Sequence, residues 1–378
     1  MKALLPRLLA TTMLLALSAA AFSQVVDPEP GHMTADGPYI FHMGGDSSRV
    51  VSVSTYDGNA VSIVDTVGVT PDSFTVVSHD GSVSFDVTLH PVARQSCRLS
   101  RTGRTFITSD PHGRLDCLLS ILKAGGVIGE DLHWCFGCDR LVIIGDVMDR
   151  GDDVTQIFWF LYRLEKEAED AGGSLTFVYG NHEPMVLAGD LRYTRAKYLT
   201  LADTLGLSVP ALYGADTELG RWLATRNTMT LVGDDLFVHA GISGIFCEEG
   251  LTMAQLNEMC SRGLFMTKEE KKADSKLMYS LFRTPGPVWY RGYFQNLKKY
   301  GGRMDGKTLD ASLDQYGAKR VFVGHTIVRN IHTLYDGRVV AVDVDAKINY
   351  DKGRGRGILI DSQGEWVVRD SGRKTLLR

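Results

Sequence analysis

The sequence predicts an α/β fold preceded by a small β-rich unit. From Arg104 onward, short runs of β-branched and aromatic residues alternate with stretches of helical spacing, the pattern of strands joined by helices. Before that point, residues 39–98 hold only short alternating runs divided by turn residues. Five of the later apolar runs also end in Asp, His, Asn or Arg. In open α/β sheets such strand ends are where ligands bind.

The elements follow in chain order. Lys2 and Arg7 precede an apolar stretch from Leu8 to Ala21, and Ala21-Phe22-Ser23 lies before Gln24. A basic start, an apolar centre and small residues at its end make an export signal. The stretch falls short of the ~20 residues that span a bilayer. Residues 1–23 are therefore expected to be removed, leaving a periplasmic or secreted protein with no stable membrane span. Residues 24–38, with Pro28, Pro30, Gly31, Gly37 and Pro38, read as a linker. Residues 39–98 read as an accessory domain of four or five strands, among them Arg49–Thr55, Ala60–Val64, Ser73–Val77 and Val83–Leu89. Turn residues at Asp57-Gly58, Pro71-Asp72 and Asp80-Gly81 separate them. This unit carries no ligand constellation, so its role is open.

The domain expected over 103–370 begins with the strand ending at Asp110-Pro-His112-Gly, followed by Leu115, Leu118, Leu119 and Leu122 at helical spacing. The next strand ends at Gly145-Asp146-Val-Met-Asp149-Arg150-Gly151, followed by Ile157, Phe158, Leu161 and Leu164. A third ends at Gly180-Asn181-His182-Glu183, a fourth at His239-Ala-Gly, and a fifth at Gly324-His325. Two insertions of mostly helical pattern, roughly 184–233 and 245–318, lie between the third and fifth, where they are placed to wall a substrate site. Strand-like runs return at Val339–Val344, Gly357–Ile360 and Glu365–Val368.

Composition narrows the function. The 378 residues are 44% apolar and 23% charged with a formal net charge of -4, and no basic stripe suggests a nucleic-acid partner. The six cysteines include Cys135-Phe-Gly-Cys138, but no second pair completes a zinc site. A local disulfide and two plain thiols both remain open there.

The strand-end residues suit a pair of divalent cations. Two such ions acidify an attacking water, neutralise phosphate charge and align the nucleophile, and they need about five or six ligands with one carboxylate shared. Asp110, His112, Asp146, Asn181, His239 and His325 are of the right number and type. Mixed imidazole and carboxylate favour Mn, Fe, Zn or Ni over Ca or Mg. Each fragment alone is weak, since a lone His after a strand is usually a structural hydrogen-bonding residue. Five in this order, each after a strand, are far more specific.

Together the five motifs resemble those of the calcineurin-like metallophosphoesterases. The Gly-Asp-x-x-Asp-Arg-Gly and Gly-Asn-His-Glu forms are similar to the phosphoprotein-phosphatase branch. Pro287-Val-Trp-Tyr-Arg291-Gly-Tyr and Gly220-Arg221-Trp222-Leu look most like the Shewanella-like protein phosphatases and their bacterial relatives. Ser109 and Ala240 stand where that branch usually has glycine. The resemblance covers about 103–370 and implies a β-sandwich flanked by helices.

The resemblance also implies roles. Asp110 and His112 would hold one metal, Asn181, His239 and His325 the other, and Asp146 would bridge. His182 would protonate the leaving oxygen with Asp149 holding its ring, and Arg150 and Arg291 would bind phosphate oxygens. The expected protein is thus a phosphoric monoester hydrolase using two divalent ions (Mn, Fe or Zn) and a metal-bound hydroxide, on phosphoprotein or small phosphate-ester substrates outside the cytoplasm. The alternatives are a nucleotide or dinucleoside-polyphosphate hydrolase on the same scaffold and a non-catalytic metal-binding protein. The acid pair His182 and Asp149 speaks against the last, because metal binding needs neither.

Overall fold

The computed structural model describes residues 22–26, 33–56, 60–345, 348, 351–352 and 355–377. The expected export segment lies outside them apart from Phe22 and Ser23. Strands β1 (Phe22–Val26), β2 (Asp36–Gly44), β3 (Ser47–Tyr56) and β4 (Ala60–Val69) form an antiparallel sheet in the order β1-β4-β3-β2. Within the stretch read as a linker, residues 24–26 thus pair with β4, Asp36 pairs with Val53 of β3, and 27–32 lie outside the described residues. A hairpin of β5 (Ser73–Val77) and β6 (Ser84–Thr88) completes the β-rich unit.

Two six-stranded sheets follow. The first joins β8 (Thr105–Thr108), β9 (Arg140–Ile144), β10 (Ser174–Val178), β16 (Arg356–Asp361), β17 (Gly364–Arg369) and β18 (Lys374–Leu376), in the order β10-β9-β8-β16-β17-β18. The second joins β7 (Arg98–Leu99), β11 (Met229–Val232), β12 (Asp235–Val238), β13 (Arg320–Val323), β14 (His332–Leu334) and β15 (Val339–Ala341), in the order β14-β15-β13-β12-β11-β7. The 184–233 insertion is therefore not helical to its end: Met229–Val232 is a strand, turned into β12 at Gly233, whose φ is 59°. A glycine takes that left-handed turn without the steric cost of a Cβ.

Side-chain alternation divides each strand between two cores. Ile107, Val142, Ile144, Phe237, Phe322, Val340 and Ile358 form one apolar cluster between the sheets, where Phe237 stacks on Phe322 with centroids 4.9 Å apart. Phe106, Leu141, Ile143 and Leu359 face the other way, into a cluster shared with the helices. That is the helix-flanked sandwich the motifs imply.

Helix α1 (Leu115–Ala124) buries the leucines its spacing predicted. In α2 (Val154–Asp170) every residue from Val154 to Leu164 is buried, although the sequence shows a single clear apolar face. The β-rich unit covers the rest. Tyr39 Oη lies 3.0 Å from Thr155 Oγ1, Trp159 Nε1 donates to the Pro38 carbonyl at 2.9 Å, and Phe74 and Phe85 meet Trp159 and Phe160 edge-on. Helix α3 (His182–Leu187) follows β10, and α4 (Ala196–Thr204) and α5 (Glu218–Ala224) lie in the first insertion. No helix among the described residues is long and apolar enough to cross a membrane. The six cysteines are free thiols, with Cys135 and Cys138 exposed.

One buried charge ties the β-rich unit to the rest. Lys197 Nζ lies 3.0 Å from Asp36 Oδ2, with both side chains at most 3% exposed. It also donates to the carbonyls of Ala35, at 3.3 Å, and Asp152. Removing one partner strands the other charge in a low dielectric, which costs about 3–5 kcal/mol. Lys197→Met is accordingly expected to lose about that much in urea unfolding, and Lys197→Met with Asp36→Asn to recover a large part of it. Equal stability of Lys197→Met and the parent would contradict the pairing.

Candidate active site

Five strand ends deliver the site. Asp110 and His112 follow β8, Asp146 follows β9, Asn181 follows β10, His239 follows β12 and His325 follows β13. β8, β9 and β10 run parallel, as do β12 and β13, so these ends gather at one edge of the sandwich. Asp110, His112, Asp146, Asp149, Arg150 and His325 all have φ between 44° and 71°. Non-glycine residues pay for that conformation, and such strain collects at functional sites where the surroundings enforce it. Here Glu183, fully buried, accepts backbone N–H groups from Val147 (2.7 Å), Gly180 (2.6 Å), Met148 (3.1 Å) and Asp146 (3.2 Å). It fixes two of the loops. Side chains at Gly180 and Gly324 would collide with the carboxylates of Asp146 and Asp110, so glycine alone fits there.

Asp146 is the centre. Its Oδ2 lies 3.2 Å from His239 Nε2, 3.7 Å from His112 Nε2 and 3.9 Å from His182 Nε2, and its Oδ1 accepts the His182 backbone N–H at 2.9 Å. The ligand-type atoms of His112, Asp146 and His182 form one tight group, and those of Asp146, His239 and His325 a second, each within 4.8 Å. Asn181 Oδ1 sits 3.2 Å from His239 Nε2. The Asp110 carboxylate accepts the His325 backbone N–H at 3.2 Å. A cavity of about 290 Å³ lies over these groups, lined also by Arg150, Tyr193, Trp289, Arg291 and Asp343.

The donor set fits divalent cations. Nδ1 of His112 faces the Met148 carbonyl at 2.9 Å and Nδ1 of His239 faces the Ile144 carbonyl at 3.0 Å. A carbonyl accepts only, so both Nδ1 atoms carry a proton and both Nε2 atoms point into the site, the orientation metal-binding imidazoles require. His325 Nε2 is buried with no hydrogen-bond partner among the described residues. Burial pushes His112 down to about 3 and His325 well below the ordinary imidazole range, so both rings are neutral and able to ligate. Burial also pushes Asp110 up, with Asp343 adding to it, and burial pushes Asp343 up to about 6. His239 goes the other way. Burial would lower it, but Asp146 and Asp110 outweigh burial and raise it to about 10, because Nε2 faces acceptors alone. A proton or a cation is needed at that spot.

The remaining predicted residues surround this cluster. His182 Nδ1 bonds Asp149 Oδ2 at 2.6 Å, and Asp149 Oδ1 accepts from Thr194 Oγ1 at 2.8 Å. Burial opposes protonation of His182, but the charges of Asp146 and Asp149 prevail and raise its pKa. Arg150 Nη2 lies 3.4 Å from His182 Nε2, and Arg291 Nη1 donates to Thr326 Oγ1 at 3.3 Å. Among the described residues neither guanidinium pairs with a carboxylate, so both charges are open to the cavity.

Sequence reading missed Asp343, Tyr193, Trp289 and the bracing role of Glu183. Asp343 ends the apolar run Val339–Val342 and carries the same signal as the five motif strands. Tyr193 and Thr194 lie in the first insertion, where nothing local marks them, and Trp289 lies within the Pro287–Tyr293 motif, which was read only for Arg291.

The calcineurin-like phosphoesterase family model matches residues 103–329. Shewanella-like protein phosphatase 2 of Arabidopsis thaliana is 27% identical over 303 residues, covering 69% of this chain and 73% of that protein. Shewanella-like protein phosphatase 1 of Plasmodium berghei is 28% identical over 229 residues, covering 59% and 61%. The solved cold-active protein-tyrosine phosphatase of a psychrophilic Shewanella species superposes with a TM-score of 0.80 at 30% identity, covering 91% of this chain and 99% of that one. That coverage extends beyond the family model. With its five motif strands meeting at a cluster of ligand-type side chains, the chain belongs to the calcineurin-like phosphoesterases, hydrolases of phosphate esters that use divalent metals.

Proposed function

We propose that the protein is a phosphomonoesterase with a dinuclear metal centre, acting outside the cytoplasm on phosphotyrosine-type aryl phosphate esters. The observation that carries the dinuclear reading is the position of Asp146, whose carboxylate belongs to both tight ligand groups. In this reading Asp110 and His112 hold one ion, Asn181, His239 and His325 the other, and Asp146 is shared. Bound there, the ions would supply an acidified water and neutralise phosphate charge.

The chain's own residues do the rest. Arg150 and Arg291, which line the cavity and pair with no carboxylate among the described residues, bind the non-bridging oxygens with planar donors. His182 faces the site through Nε2 while Asp149 holds Nδ1, so it is oriented to deliver a proton to the leaving oxygen. Its Nε2 also falls within the first ligand group, but it stands 3.9 Å from Asp146 Oδ2 against 3.2 Å for His239, and its Nδ1 is held by Asp149 at 2.6 Å, which favours the proton-donor role over a ligand.

Tyr193 supports the aryl substrate. The residue is 45% exposed, with its ring 5.3 Å from the His182 ring and 5.5 Å from the Arg150 guanidinium carbon. It therefore offers an aromatic face beside the leaving oxygen, where a phenol would stack and a serine side chain would not reach. The structural relative's description as a protein-tyrosine phosphatase points the same way. Hydrolysis of phosphotyrosine peptides, phosphoserine peptides and nucleotides with added Mn tests the reading. The expected order of kcat/KM is phosphotyrosine first and nucleotides last, and preference for nucleotides would overturn it. The export reading rests on the basic and apolar N-terminal residues. N-terminal sequencing of protein from its host is expected to begin near Gln24, and an intact Met1 in the cytoplasm would refute it.

A further inference from the structure

We infer that Thr194 is a positioning residue, delivered by the first insertion, that fixes the Asp149 carboxylate and through it the His182 ring. The inference rests on the proton-donor reading of His182 given above.

Asp149 and Arg150 are consecutive non-glycine residues with φ of 71° and 67°. A local turn does not account for both. The Gly151 N–H reaches back to the Asp149 carbonyl at 2.8 Å, and the Arg150 N–H is accepted by the carbonyl of Tyr193 at 3.0 Å. The next residue, Thr194, donates its hydroxyl to Asp149 Oδ1 at 2.8 Å. Neighbouring residues of one turn therefore hold the backbone of Arg150 and the side chain of Asp149. The turn is itself closed by the Thr194 N–H to the Leu191 carbonyl at 3.1 Å, and a two-point Arg192–Asp190 contact sits on it.

The Asp149 side chain is fully buried, and its two oxygens have separate duties. Oδ2 holds His182 Nδ1 and Oδ1 takes the Thr194 hydroxyl. A carboxylate held at one oxygen can rotate about its Cβ–Cγ bond. Held at both, it sets the plane in which the imidazole lies. Loss of the hydroxyl leaves a buried acceptor unsatisfied and frees the ring to turn away from the leaving oxygen. Because the ring acts on the leaving group, the loss falls on esters whose oxygen needs a proton and spares those whose oxygen leaves unaided.

The test uses Thr194→Val, which keeps the shape and removes the hydroxyl, and Thr194→Ser, which keeps the hydroxyl. Both are assayed with added Mn on aryl phosphates of one ring size, from p-nitrophenyl to phenyl. Thr194→Val is expected to lose roughly 10-fold in kcat on phenyl phosphate, the low end for an orienting partner, and little on p-nitrophenyl phosphate. Thr194→Ser is expected to restore most of the activity. In an Asp149→Asn background Thr194→Val is expected to add no further loss. Equal slowing of both esters by Thr194→Val, or losses that multiply in the double variant, would overturn the inference. His182→Asn on the same esters separates the two readings: a loss independent of the leaving group there refutes the His182 role, and the double variant alone then decides whether Thr194 acts through Asp149. Thr194→Ala, with melting temperature measured alongside, replaces Thr194→Val should the valine disturb folding.

Discussion

His182→Asn is expected to lower kcat by roughly 10²–10⁴-fold on esters with poor leaving groups, the usual range for a positioned proton donor. Phenyl phosphate, phosphotyrosine and phosphoserine-type alkyl esters all fall in that class. The loss should shrink on p-nitrophenyl phosphate, whose oxygen departs without a proton. Metal content should change little, because the ring's Nδ1 is engaged by Asp149 at 2.6 Å and its Nε2 is 3.9 Å from Asp146, a longer approach than that of His239. Asp149→Asn should show the same dependence with a smaller loss, since it orients and charges the ring without touching the ester. Steady-state kinetics beside elemental analysis separates the outcomes. Equal slowing on both ester classes with metals retained would make His182 a phosphate-positioning residue, and loss of metal would make it a ligand.

The residues around the site differ in how far sequence alone reveals them. Asp110, Asp146, Asn181, His239 and His325 each sit within a few residues of a short apolar run. A strand that ends at a ligand-type residue writes both facts into one local segment. The sandwich was legible for the same reason. Thr194 was not legible, because its meaning lies in a contact across 45 residues of chain. Tyr193 was hidden likewise: an exposed aromatic in a turn looks like any surface residue until the fold sets it beside His182. Glu183 was visible as part of a motif, but its work on the Asp146 and Gly180 backbones depends on three-dimensional closure.

The β-rich unit gives the clearest case of missing information. Its alternating runs at 49–55, 60–64, 73–77 and 83–89 were visible as strands and fall on β3, β4, β5 and β6. What they cover was not. The helical pattern of α2 shows one apolar face, yet Thr155, Gln156 and Arg163 are buried too, because Tyr39, Phe74 and Phe85 lie against that helix. Lys197 and Asp36 are 161 positions apart in sequence and read as two ordinary surface charges until the fold closes them into a buried pair.

Asp146→Asn is expected to abolish turnover on every ester class. The carboxylate is nearly fully buried, and the Nε2 atoms of His112, His182 and His239 converge on its Oδ2. An amide would present one neutral oxygen where the proposed pair of cations would need a shared anion, and among the described residues no other carboxylate belongs to both ligand groups. Glu183 is committed to backbone N–H groups and Asp110 to the His325 backbone. Folding should survive, because the loops are braced by Glu183 and an Asn side chain occupies the same volume. Elemental analysis of purified protein, parent against Asp146→Asn, tests the dinuclear account most directly. The parent is expected to carry about two divalent ions per chain, as a two-metal site requires, and the folded variant to lose metal together with activity. One ion per chain in a fully active parent, or full metal and full activity in Asp146→Asn, would contradict it.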